Sequence, residues 1–236
     1  MKKIVAVVAS NNKSSITKEL LEQINKNLNE EYEMEIIFLA NESISYCEGC
    51  CNCFRYGACK LDKNDSMEKI KKKLLEGDYI ILASPVYLND YTGIMKSLID
   101  RLSYWCHLLR LAGKLGFVIA VTGRSGGDEV ALYLEYFATS LGIKVIGKYS
   151  YVTHQNKVEE RALEISEDMK RSIEMNFGKS NKILEKYFKA YRELYATGED
   201  LEFNEYRFWS SEDVKKIENF QEFATNRNSL GFVNLI

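Results

Sequence analysis

Apolar residues along this chain follow two rhythms. Ile4 to Ala9 (IVAVVA) is an unbroken, β-branched run, the pattern of a strand buried on both faces of a helix-covered parallel sheet. Similar runs at Met34–Leu39, Tyr79–Ala83, Leu115–Val121 and Lys144–Tyr151 predict four more strands. Between them the spacing turns helical. Ile16, Leu20, Leu21, Ile24 and Leu28 line one face of an amphipathic helix. Helices are also predicted over Met67–Leu75, Ile94–Tyr104 and Val130–Leu141. Asp65 with Glu68 gives the first of these a capping-box-like start and Gly77 ends it, while Gly142 closes the last. Strands alternating with helices, joined by crossovers long enough for right-handed βαβ units, predict an α/β doubly wound five-stranded parallel sheet. Beyond about Gln155 the pattern is helical only: Glu159–Phe177, Asn181–Tyr195 and Glu212–Ala224. The expected organisation is a sheet domain over 1–154 and a C-terminal helical extension over 155–236.

Composition narrows the partners. With 236 residues, 46% of them hydrophobic, the chain can bury a sizeable core. Its 32 basic and 34 acidic residues nearly cancel, which argues against nucleic acid or an anionic membrane as the main partner. No apolar run of about 18 residues is present, and MKKIVAVVASNN is too short and too strand-like to read as a signal peptide, so a cytoplasmic location is expected.

In a doubly wound sheet the ligand lies beyond the carboxyl ends of the strands. Three loops meet that specification. The loop after the first strand carries Ser10, Lys13, Ser14, Ser15 and Thr17 directly before a helix start, a setting that suits a phosphate monoester as well as simple capping. It holds neither a GxGxxG fingerprint nor a P-loop. The loop after the third strand, Ser84-Pro85-Val86-Tyr87-Leu88-Asn89, contains the chain's only proline. Pro85 rigidifies a short apolar surface that fits a flat heteroaromatic ring or caps the core. The loop after the fourth strand, Thr122-Gly123-Arg124-Ser125-Gly126-Gly127, offers glycines for close backbone approach and Arg124 for charge.

Taken together these loops, a C-x2-C-x2-C-x5-C run followed by KNDSM, SPVY-x5-G-x2-K-x3-DR and TG-x-SGG resemble the flavodoxin-like NADPH-dependent FMN reductase family, and within it the iron–sulfur flavoproteins. The resemblance covers residues 1 to about 152. It implies a flavodoxin-like sheet of order 2-1-3-4-5 with FMN at its carboxyl edge. By that pattern Ser10, Lys13, Ser15, Ile16 and Thr17 line the FMN phosphate, and Pro85, Val86, Tyr87 and Leu88 flank the ribityl chain and isoalloxazine. Thr122, Gly123, Ser125 and Gly126 close the far side of the ring. Asn11-Asn12 stands where the family often has Pro-Arg, Ile16 where it often has Asn, and Leu88 where an aromatic is frequent. Lys96, Asp100 and Arg101 read as structural, and no catalytic side chain is expected, because hydride transfer to a flavin needs no protein acid or base.

The cysteines leave alternatives open. CEGCCNCFRYGAC places five of the six within residues 47–59. Cys47, Cys50, Cys53 and Cys59 match the compact iron–sulfur flavoprotein spacing, with Cys51 as an extra, and four thiols suit a [4Fe–4S] cluster or tetrahedral zinc. Free thiols packed as small hydrophobes, or a disulfide, are the competing readings. Cys106 reads as a core thiol, and His107 and His154 as satisfied or solvated.

The function expected is an FMN-dependent oxidoreductase taking electrons from NAD(P)H or a small redox protein. An iron–sulfur electron carrier and a flavin- or metal-state sensor are the alternatives. The aromatic-rich tail, including Tyr187, Phe188, Tyr191, Tyr195, Phe208 and Trp209, is expected to pack on the main domain or on another subunit, with a homodimer or homotetramer as the assembly.

Overall fold

The computed structural model describes residues 1–12, 14–28, 30–175, 178–197, 199–227 and 230. Five parallel strands, β1 (Lys2–Val8), β2 (Tyr32–Phe38), β3 (Tyr79–Pro85), β4 (Leu115–Thr122) and β5 (Lys144–Val152), stand in the order β2-β1-β3-β4-β5. The strands with the purest apolar runs are central: β1, β3 and β4 are buried along nearly their whole length, whereas the edge strands β2 and β5 are only partly covered. Strand order reverses at β1, which pairs with β2 on one side and β3 on the other. That places the ligand-binding crevice of such a sheet at the carboxyl ends of β1 and β3.

Side-chain alternation sends residues of each strand to two different cores. Val5, Val7, Ile80 and Leu82 face α3 (Met67–Glu76), α4 (Gly93–Cys106) and α5 (Gly127–Ser140). Ile4, Ala6, Val8, Ile81 and Ala83 face α1 (Ile16–Asn27) and α6 (Val158–Met175). Helix α6 therefore covers the sheet, beside α1. A third cluster joins α7 (Lys182–Tyr195), α8 (Asn204–Trp209), α9 (Glu212–Lys215) and α10 (Phe220–Asn226) to Leu108, Leu109 and Ala112 just beyond α4. Phe188, Trp209, Phe220 and Phe223 are all buried there, so the tail's aromatics pack within the chain.

Two local expectations are corrected. The helix expected over Glu212–Ala224 is broken into α9 and α10, because Arg192 takes the Ile217 carbonyl at 2.6 Å and Asn219 Oδ1 starts a new helix by accepting from Glu222 N at 2.9 Å. The capping box at Asp65 does not form. Ser66 is the N-cap of α3, and Asp65 accepts from Met67 N at 2.9 Å while its other oxygen is engaged elsewhere. A five-residue helix α2 (Asn52–Tyr56) inside the cysteine segment had no periodic signal to announce it.

Candidate functional site

The three loops named from sequence meet at the carboxyl edge and are tied together by hydrogen bonds. Ala9 N donates to Ala83 O at 2.8 Å, and Thr92 Oγ1 donates back to Ala9 O at 2.7 Å. Val86 N donates to Val121 O at 2.9 Å, and Ser125 Oγ lies 3.4 Å from Asn89 Oδ1, to which it donates. A rim built this way holds its shape before any ligand arrives.

In the first loop, Ser10 Oγ accepts from Asn12 N at 3.2 Å and Asn12 Oδ1 accepts from Ser14 N at 3.0 Å. These turns curl the chain into the start of α1. Ser15 is the N-cap but its side chain makes no capping hydrogen bond, so among the described residues the first-turn N–H groups are open to an anion. Ser10, Ser15 and Thr17 are buried around that end, and Ile16 is half-exposed. Lys13 lies outside the described residues.

The loop after β3 is a tight turn in which Tyr87 N donates to Asp90 O at 2.8 Å and Asp90 N to Tyr87 O at 3.1 Å. Leu88 and Asn89 at its tip have φ of 52° and 59°, both left-handed. A leucine there is strained, and Leu88 is 98% exposed, so an apolar side chain is held out in solvent at the rim. The rigid apolar surface expected from Pro85 is here a turn with a left-handed tip. The Asn-containing turn was legible in principle, but Leu at a positive φ was not.

The fourth-strand loop behaves differently from expectation at its glycines. Gly126 has φ of 80°, and a Cβ there would meet Asn89 Cα at 2.9 Å, so its small size serves packing between two rim loops. Gly123 is the open one, with nothing within 4 Å of its Cβ position among the described residues. Thr122 Oγ1 donates to Ser125 O at 2.6 Å and accepts from Arg124 N at 3.2 Å, which folds the loop back on β4. A cleft of about 640 Å³ opens at the opposite, amino edge beside Lys2, Lys114 and Arg227. The open helix end, the buried hydroxyls and the strained apolar tip are instead all on the carboxyl edge.

The cysteine segment sits beside this edge as a loop closed at its neck. Arg101, fully buried on α4, donates to Ser45 O at 2.9 Å, Asp65 at 2.5 Å and Asp62 at 2.7 Å. Asp65 also accepts from Ser45 N at 3.0 Å, so one ion pair clasps the residues just before Cys47 and just after Cys59. Burial alone would raise the Asp65 carboxyl, but Arg101 and the Met67 and Ser45 amides outweigh it and hold it below the ordinary carboxylate range. Arg101, assigned from sequence to a structural role, is the centre of this clasp. Lys71 adds to it, 2.6 Å from Asp62; burial pulls its ammonium down from the usual range while Asp62 opposes the shift.

Within the loop all the cysteines are free, with Cys47, Cys50 and Cys51 exposed and Cys53 and Cys59 half-buried. Cys51 and Gly57 bracket α2 in left-handed conformations of φ 57° and 75°. Burial, followed by the proximity of Cys59, pushes the Cys53 thiol up to about 11. Among the described residues no three Cys, His, Asp or Glu side chains converge to hold a metal ion. The donor set nevertheless suits an iron–sulfur cluster in kind: five unpaired thiols on one short loop, one more than a cluster needs, with Cys47 and Cys59 close enough to influence Cys53 and the cations Lys71 and Arg101 near Cys59.

Residues 2–157 match the NADPH-dependent FMN reductase family model. The chain belongs to this family. It is a flavin-dependent oxidoreductase with FMN as its cofactor, and the rim fits that group, offering an open helix start for a phosphate and an exposed apolar turn for a ring. A protein of Archaeoglobus fulgidus named iron–sulfur flavoprotein is 32% identical over 85% of this chain and 86% of its own. One of the same name from Clostridioides difficile is 26% identical, covering 67% of this chain and 72% of that one. Against the Methanosarcina thermophila iron–sulfur flavoprotein, at 36% identity, the match spans 42% of this chain and 51% of the relative. Among solved structures, a flavone reductase superimposes with a TM-score of 0.56 at 16% identity, covering 73% of this chain and 63% of that one. An NADH:FMN oxidoreductase does so with a TM-score of 0.54 at 21% identity, covering 73% and 90%. Both show the flavodoxin-like fold.

Proposed function

We propose that this flavoenzyme is an iron–sulfur flavoprotein that passes electrons between FMN and a [4Fe–4S] cluster on Cys47, Cys50, Cys53 and Cys59. The observation behind it is a loop of five free thiols, four of them at the cluster spacing, clasped at its neck by Arg101 and Asp65. The shared name of the relatives supports the same reading.

When bound, FMN supplies a ring that accepts a hydride or single electrons, and a cluster exchanges single electrons. The protein's part is placement. The first-turn amides of α1 with Ser10, Lys13, Ser15, Ile16 and Thr17 would hold the phosphate. Pro85, Val86, Tyr87 and Leu88 would flank the ribityl chain and ring. Thr122, Gly123, Ser125 and Gly126 would close the other side, and Gly126 lets its loop pack on Asn89. None of these groups moves a proton, so no catalytic side chain is assigned. The domain division of this proposal is a flavin-binding unit over 1–154 and an extension over 155–236, whose first helix closes the sheet.

The electron donor in this reading is NAD(P)H or a small redox protein. Tyr87, Leu88, Leu132, Tyr133 and Tyr136 are exposed large apolar residues on the flavin loop and α5, and support assembly as a homodimer or homotetramer. Among the described residues no helix is long and apolar enough to cross a membrane. A cytoplasmic setting, which keeps thiols reduced, completes the proposal.

Anaerobic purification followed by iron, acid-labile sulfide and flavin assays tests the cofactor pair. Roughly four irons per flavin, lost in Cys53→Ser, supports it, in line with four thiolates per [4Fe–4S] cluster. Iron at background with full flavin occupancy overturns it and leaves an FMN reductase with bare thiols. Light scattering decides the assembly.

A further inference from the structure

The cysteine segment is clasped at its neck by the sheet domain, and Cys53 and Phe54 also pack against that domain's core. The C-terminal helices hold α2 from a further side. Arg207 on α8 donates through Nη1 to Leu201 O at 2.6 Å and Glu202 O at 2.9 Å, and through Nη2 to the carbonyl of Arg55 on α2. The Arg55 guanidinium in turn lies over the Phe203 ring, 5.5 Å from its centroid. On the other flank of α2, the Phe54 ring packs 4.9 Å from His107. His107 is itself fixed by the extension: its Nδ1 lies 3.3 Å from the Tyr195 hydroxyl and 3.4 Å from Glu205 Oε1, and its carbonyl accepts from Trp209 Nε1 at 2.8 Å.

Helix α2 needs such help. Five residues are far below the length at which an isolated helix persists, and both of its ends are bracketed by left-handed residues rather than capped by side chains. Of the two residues following Cys53, the extension holds Arg55 directly and Phe54 through His107. Cys53 is half-buried against the sheet-domain core, while its neighbours Cys50 and Cys51 stay exposed.

We infer that α7 and α8 are the outer wall of the cysteine site, with Arg207, Phe203 and His107 acting as positioning residues for α2 and so for Cys53. The extension is a working part of that site. This goes beyond the proposed cluster and stands whether the four thiols hold metal or remain bare. Arg207 suits the role because a planar guanidinium can bridge carbonyls of two separate segments at once, which a lysine ammonium on a flexible stem does less well.

The test uses the full-length, FMN-loaded protein stripped of iron by chelator, so that its outcome is separate from that of the iron assay. Hydrogen exchange is followed at residues 52–57, where Phe54 N, Arg55 N and Gly57 N carry the hydrogen bonds of α2. Residue-resolved alkylation of Cys53 by N-ethylmaleimide is followed in parallel. In Arg207→Ala both rates are expected to rise about tenfold, the sign of a local opening, with exchange across β3 and flavin retention unchanged. Arg207→Lys should fall between that variant and the wild type, and Phe203→Leu should loosen the same peptide. Exchange and alkylation within about twofold of wild type in both Arg207→Ala and Phe203→Leu would overturn the inference, since an opening of the segment must show in these rates.

Discussion

Arg101 and Asp65 meet at 2.5 Å with neither side chain exposed, and through that contact α4 closes the neck of the cysteine segment. Removing one partner leaves the other as an uncompensated buried charge. Arg101→Ala should therefore cost about 3–5 kcal/mol in urea denaturation. Arg101→Met with Asp65→Leu removes both charges and should recover a large part of the loss. If the double variant is as unstable as the single, the clasp acts through shape and not charge.

Acid should open the same clasp. Asp65 is held below its ordinary carboxylate value, so its pairing contributes stability above pH about 4 that is lost as pH falls through the lowered folded-state value. Denaturation midpoints measured from pH 6 downward should show that loss in the wild type and a smaller one in Asp65→Asn, whose amide does not titrate.

Lys114 predicts a dependence of the same sign in a more alkaline window. Its ammonium is buried, donates to Leu75 O at 2.7 Å and to Gly77 O at the end of α3, and burial, then Arg227, lowers it to about 7. Between that value and the ordinary lysine value of about 10.4 the unfolded chain binds more protons than the folded one. Stability from this residue therefore rises with pH across that window. Subtracting the profile of Lys114→Met from that of the wild type should reveal the rise free of cysteine and tyrosine titrations.

Flavin retention should depend on two features of the rim. Thr17→Val removes a buried hydroxyl at the open start of α1 and should weaken FMN binding by about tenfold, the worth of one hydrogen bond to a charged group. Gly126→Ala forces a Cβ to within 2.9 Å of Asn89 Cα at a φ of 80° and should weaken it further by separating two rim loops. Titration of apo-protein followed by flavin fluorescence quenching measures both, and unchanged affinity in Gly126→Ala would show that those loops do not close on the ring.

Much of the site was legible because its signals are local. A β-branched run such as Ile4–Ala9 can be buried on both faces only in a covered sheet, and a hydroxyl directly before a helix, such as Ser15, marks its start. The Leu88–Asn89 tip was less legible, since the left-handed backbone at Leu88 is imposed by the Tyr87–Asp90 pairing and contradicts that residue's own preference. Helix α2 could not be read at all. It is too short for a period to show, and it exists because distant residues hold it.

By itself, then, the sequence determined the five strands, the helices that cover them and the three loops at their carboxyl edge, because burial period and turn chemistry act over a few neighbouring residues. Tertiary structure decided what surrounds the cysteines. Arg101 reaches back 56 residues to Ser45, and Arg207 reaches back 152 to Arg55. No local pattern encodes pairings of that range, because they form only once folding has brought α4 to the neck of the loop and α8 to its short helix.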